Sequence, residues 1–150
     1  MSELRELYQE IIIDHGRHPR NFGNLPEATH HKEGFNPLCG DKLTLHIYEK
    51  DNIVQKIMFE GSGCAISMAS ASLMTETLVG KSKEEIHDIF SLFHQLIMNG
   101  DQTNIDKLDK LAVLGGVFEY PARVKCATLA WHTLNAALEN DAGIVSTEDK

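Results

Sequence analysis

Three cysteines, Cys39, Cys64 and Cys126, are the residues of this chain best suited to metal or thiol chemistry. Each falls where the sequence pattern changes: Cys39 in a loop ahead of a strand, Cys64 in the turn from a strand into a helix, and Cys126 about one turn into the last helix. An odd number of thiols in a reducing compartment favours metal binding or thiol chemistry over disulfides. A single cysteine is more often an inert buried residue than a functional one. Three of them at glycine-flanked or helix-start positions weaken that bland account. Asp41 follows Cys39 across Gly40, and the glycine lets the backbone turn tightly enough for carboxylate and thiol to face one centre. Three thiolates and a carboxylate suit a tetrahedral zinc ion, with Zn–S near ~2.3 Å, and suit an iron-sulfur cluster equally. The chemistry alone does not choose between them.

The elements that must position these groups follow from hydrophobic spacing. Leu4, Leu7, Tyr8, Ile11 and Ile12 mark one face of a first helix, capped by Ser2 and ending near His15-Gly16. From Arg17 to Gly40 the periodicity stops and Gly, Pro, Asn and His accumulate, which predicts a long loop, more often functional than idle at this length. Leu43, Leu45 and Ile47 then alternate with polar residues, and Ile53 to Glu60 repeats the alternation after Lys50-Asp51-Asn52, an antiparallel hairpin. The outer ends of such a pair lie side by side, which places Cys39 near Cys64. The small-residue run Ala65 to Val79, closed by Gly80, predicts a helix packed tightly on a neighbour.

Ser82 and Glu85 form a capping box for the next helix, whose buried face is Ile86, Ile89, Phe90, Phe93 and Ile97. A short helix over Ile105 to Leu114, broken at Gly115-Gly116, precedes a last helix opened by Pro121, with Val124, Ala127, Trp131, Leu134 and Leu138 as its apolar stripe. The tail from about Asp141 lacks any pattern and is expected to be disordered. Helices clustered with one small antiparallel sheet of about three strands make an α+β fold, read as a single domain over residues 1–150.

Composition narrows the function. The chain has 150 residues, 42% hydrophobic and 24% charged, which is enough to bury a core without disulfide staples. A net charge of −8 argues against nucleic acid or an anionic membrane as the partner. No apolar run suits a membrane span or signal peptide, so a cytoplasmic protein is expected. Among the eight histidines, which include His30-His31 and His46, His87, His94 and His132 read as solvated or core-edge positions in predicted helices, and His15 and His18 could be near a site. Ser67, Ser70 and Ser72 show no obvious base partner for nucleophilic catalysis.

Asn36-Pro37-Leu38-Cys39-Gly40-Asp41, the run from Gly61 to Ser72 through Cys64, and Pro121 to Ala127 through Cys126 resemble, in order and spacing, the signature of the IscU/NifU-N family of iron-sulfur cluster assembly proteins. Tyr8 to Asn24, with His15, Pro19, Arg20, Asn21 and Gly23, is similar to that family's N-terminal segment, so the resemblance runs from about residue 4 to 140. Housekeeping scaffolds of the family place a histidine immediately before the last cysteine. Here Lys125 stands there, and additional residues occupy the stretch around Asp101 to Tyr120; both features resemble the SufU branch.

The resemblance implies an IscU/SufU-like fold with Cys39, Asp41, Cys64 and Cys126 as ligands of a zinc ion. It implies a zinc-dependent sulfurtransferase that accepts persulfide sulfur on Cys39 from a SufS-type cysteine desulfurase, with other Suf assembly proteins downstream. Arg123 would be a docking or site-positioning cation. The alternative is a scaffold, a binding protein and not an enzyme, that holds iron or a transient iron-sulfur cluster on the same ligands. A purely structural zinc domain is the remote third reading.

Overall fold

A computed structural model of the chain describes residues 2–140 and 143–147, with side chains from Tyr8 onward. The chain runs through α1 (Ser2–Arg17), β1 (His30–Asn36), β2 (Asp41–Lys50), β3 (Ile53–Ser62), α2 (Ala65–Leu78), α3 (Lys83–Asn99), a 3-10 segment (Ile105–Glu119), α4 (Pro121–Leu138) and β4 (Val145–Ser146). The strands form one sheet in the order β3-β2-β1-β4. β2 pairs antiparallel with β1 on one side and β3 on the other, while β4 runs parallel to β1. The fold is α+β as expected, with a mixed sheet of four strands in place of about three antiparallel ones.

Alternation along β2 turns Leu43, Leu45 and Ile47 to the helical layer, and cross-strand pairing sets Leu45 opposite Phe59 and Ile47 opposite Ile57. α4 covers β1 and β2, and α2 lies between α1 and α4. α2 buries residues on every side, among them Ala69, Ala71, Leu73 and Met74, because small side chains let three helices approach it closely. Trp131 of α4 stacks on Phe93 of α3 with centroids 4.6 Å apart and donates its indole N–H to Ser70 Oγ at 3.2 Å. Truncating a buried tryptophan of this kind typically costs about 3–5 kcal/mol. The Ser82/Glu85 capping box is present in both directions at the start of α3, and Pro121 opens α4.

Three expectations fail, each for a packing reason. The long loop contains β1, whose inward positions are Lys32, Gly34 and Asn36, so no apolar alternation betrays it. The Gly115-Gly116 pair does not break the short helix, which continues as 3-10 turns to Glu119; the non-helical residue inside it is Asp109 at φ 52°, and Gly115 packs against Leu96. Within the tail expected to be disordered, Val145 and Ser146 pair with Gly34 and Phe35 of β1, and Val145 and Thr147 are buried. Asp141, Ala142 and residues 148–150 lie outside the described residues. Among the described residues no helix is long and apolar enough to cross a membrane.

Candidate metal centre

Asn36 and Asp41 are the last pair of the β1–β2 ladder, so the chain must turn back through Pro37, Leu38, Cys39 and Gly40. Gly40 takes φ 73° and donates its N–H to Asn36 O at 2.9 Å, a left-handed conformation that costs glycine little. The turn holds Cys39 half-buried beside Leu38, which is 67% exposed. Asp41, fully buried, accepts the Cys64 N–H on Oδ1 at 2.9 Å and the Asn36 Nδ2 donor on Oδ2 at 3.0 Å. Gly63 passes directly over this carboxylate, where a Cβ would stand 2.6 Å from Oδ1. The glycine before Cys64 is therefore a steric requirement of the buried aspartate.

Cys126 points inward from the second turn of α4, fully buried, with its Sγ 3.2 Å from Cys39 Sγ. The ligand atoms of Cys39, Asp41 and Cys126 all lie within 4.8 Å of one another. Cys64 is attached to this group without belonging to it at that spacing: its backbone binds Asp41, and its sulfur caps α2 by accepting the Ser67 N–H at 3.4 Å. A helix N-terminus favours negative charge, so the cap suits a thiolate. Burial, and then the bonds from Cys39, Asp41 and Cys64, push the Cys126 thiol well above its ordinary range. A thiol so placed ionises when a cation joins it, and three sulfurs with a carboxylate are a donor set that zinc or iron accepts.

Arg123, exposed on the first turn of α4, directs Nη1 at Cys39 Sγ at 3.8 Å. Its guanidinium is held still more firmly protonated by Cys126 first, and then by the charges of Cys64, Cys126 and Cys39. The hairpin geometry anticipated Cys39 beside Cys64; the structure adds a sulfur contact that it did not anticipate, from Cys39 to Cys126 across the sheet and helix layers. Reading by residue type missed Asn36, whose amide bridges Asp41 Oδ2, Cys126 Sγ at 3.5 Å and the Thr147 hydroxyl at 3.0 Å. Its signal was its place at the head of the Asn36-to-Asp41 motif. Ser72 does meet a histidine, with Oγ 2.7 Å from His15 Nδ1, but no solvent reaches it, so the pair is a packing bond and not a nucleophile.

Residues 7–144 match the family model described as the NifU-like N-terminal domain, and the chain belongs to that family. Similar chains carry two kinds of name. One is an iron-sulfur cluster assembly scaffold protein IscU from Thermotoga maritima, 41% identical over 91% of this chain and 95% of its own. Another is the zinc-dependent sulfurtransferase SufU of Bacillus subtilis, 37% identical over 95% of this chain and 96% of its own. A solved structure of a candidate scaffold protein for the SUF system from Fervidobacterium islandicum superposes with a TM-score of 0.82 at 34% identity, over 89% of this chain and 98% of the other.

Proposed function

We propose that this protein acts in iron-sulfur cluster assembly as a zinc-dependent sulfurtransferase, taking persulfide sulfur from a SufS-type cysteine desulfurase. Cys39, Asp41, Cys64 and Cys126 would hold the zinc, which when bound keeps thiols in their anionic form and brings no redox chemistry of its own. The observation that carries the reading is the asymmetry of the three sulfurs. Cys126 is buried and Cys64 caps a helix, whereas Cys39 rides on a glycine turn with Arg123 3.8 Å away. As a thiolate, Cys39 Sγ attacks the terminal sulfur of the desulfurase persulfide; a new S–S bond forms on Cys39, the old S–S bond breaks, and the desulfurase cysteine leaves as its thiolate. Arg123 places a fixed positive charge beside the sulfur that carries the negative charge in this exchange. Leu38, which precedes Cys39 in the chain and is 67% exposed, offers an apolar side chain beside that residue for a protein partner to cover.

The deciding experiment measures desulfurase turnover with zinc-loaded protein and with Cys39→Ala, and looks by mass spectrometry for an adduct of about 32 Da, one sulfur atom. Stimulation and an adduct in the wild type, both lost in Cys39→Ala, are expected. The relatives named as scaffolds favour a second reading, in which the same residues receive an iron-sulfur cluster as cargo. An iron-supplied form that assembles and hands over a cluster, beside a zinc form with no stimulation and no adduct, would establish the scaffold and overturn the transferase.

A further inference from the structure

α2 carries three buried serines, and their hydroxyls are not used alike. Ser70 Oγ donates to Ala127 O at 2.6 Å and receives the Trp131 indole N–H, and Ser72 Oγ meets His15 Nδ1 and the Arg20 N–H. Ser67 is 1% exposed, and its Oγ is the buried side-chain oxygen or nitrogen, among the described residues, that has no hydrogen-bond partner. Native proteins seldom keep such a group without a use for it.

The position of Ser67 says what the use is. Cys64 is the N-cap of α2 and Ser67 its third helical residue, the place from which a side chain folds back on the cap, as Glu85 does on Ser82 at the start of α3. The Ser67 N–H already lies 3.4 Å from Cys64 Sγ. A neutral thiol is a weak acceptor, but a metal-bound thiolate takes more than one donor, and hydroxyl donors to an anion are among the stronger hydrogen bonds. We infer that the Ser67 hydroxyl is a positioning group for the metal site, a donor that turns onto Cys64 Sγ when that sulfur is a metal-bound thiolate. The inference rests on Cys64 being a ligand, as in the proposed function. It adds that the fold keeps one hydroxyl in reserve for the loaded state.

This gives Ser67→Ala opposite signs in the two states. Without metal the substitution removes an unsatisfied buried oxygen, so the thermal midpoint of the metal-free protein should stay or rise. With zinc it removes a donor to a ligand, and affinity, measured by competition with a chromophoric chelator, should fall by about tenfold to a hundredfold. Cobalt in place of zinc supplies a second readout: the sulfur-to-cobalt charge-transfer band should move to longer wavelength in Ser67→Ala, because a thiolate that loses a hydrogen bond gives up its electron more readily. Ser67→Thr, which keeps the hydroxyl, should return the band toward the wild-type position. Unchanged zinc affinity and an unmoved cobalt band would overturn the inference, and so would weaker binding accompanied by a lowered metal-free midpoint, which would mark Ser67 as a packing residue. A wild type that failed to bind zinc or cobalt would remove the zinc reading itself, with the role of Ser67 following it.

Discussion

On the side of α2 that meets α1, His15, Ser72, Arg20, Asn21 and Thr75 form a polar cluster in which the chain supplies every partner. Ser72 Oγ accepts the Arg20 N–H at 2.8 Å and bonds His15 Nδ1, while Asn21 Nδ2 donates to Thr75 Oγ1 at 3.0 Å. At the start of the same helix, Cys39, Asp41, Cys64 and Cys126 are also buried or half-buried, but sulfurs crowd sulfurs there and the Ser67 hydroxyl is unpaired. Both clusters place polar atoms in a low-dielectric interior, where an unmatched group is costly. The first is a latch that holds the segment after α1 against α2. The second spends stability on a donor set whose atoms satisfy one another poorly, which is the mark of a site built for something other than folding.

The largest effect expected from this contrast is on metal binding. Asp41→Ala should weaken zinc binding by more than the ~100-fold typical of losing an outer partner of a ligand, with the folded protein retained. Chelator competition on the purified variant checks this, and a loss below tenfold would take Asp41 out of the ligand set. The matching test of the latch is Ser72→Ala, which strands His15 Nδ1 and the Arg20 N–H. It should cost about 1–3 kcal/mol of stability in urea titrations and leave zinc affinity as it was. A Ser72→Ala protein as stable as wild type but poor in zinc would invert the assignment of the two clusters.

A smaller effect is expected with pH. Burial first, and the neighbouring Arg20 charge second, hold the His15 imidazole below its ordinary 6.5. Between 6.5 and the folded-state value the unfolded chain binds the extra proton and the folded chain resists it. The stability tied to His15 is therefore complete above 6.5 and is lost as pH falls through that window. Urea midpoints at pH 7.5 and 5.5 should draw closer together in His15→Asn than in the wild type; an equal drop in both proteins would locate the acid sensitivity elsewhere. The smallest effect expected is on folding after metal removal. Chelator-treated protein should still melt in one cooperative transition, because the core formed by the sheet, α2 and α4 excludes water without help from the metal. Disappearance of that transition would favour a structural zinc domain.

Local signals account for most of the frame. The period-two run of β2, the Ser82/Glu85 box and Pro121 at the start of α4 are effects of a few neighbouring residues, and each appears where its chemistry places it. The glycine beside Cys39 was legible for the same reason, since Gly40 answers to its own φ. Tertiary structure decided what depends on a distant partner. β1 shows no apolar alternation because α4 lies so close that a Cβ on Gly34 would strike Thr133, and β4 exists only through its pairing with β1. The meeting of Cys39 with Cys126, 87 positions apart, and the bridging of both layers by Asn36 arise from sheet-on-helix packing that no window of sequence contains. Sequence thus singled out the groups suited to metal or thiol chemistry and the elements that bear them, because residue type and local periodicity are short-range properties. That Cys126 is buried while Cys39 and Cys64 are half-buried, and that the Ser67 hydroxyl is left unpaired, were settled by the packing of α2 and α4 against the end of the sheet.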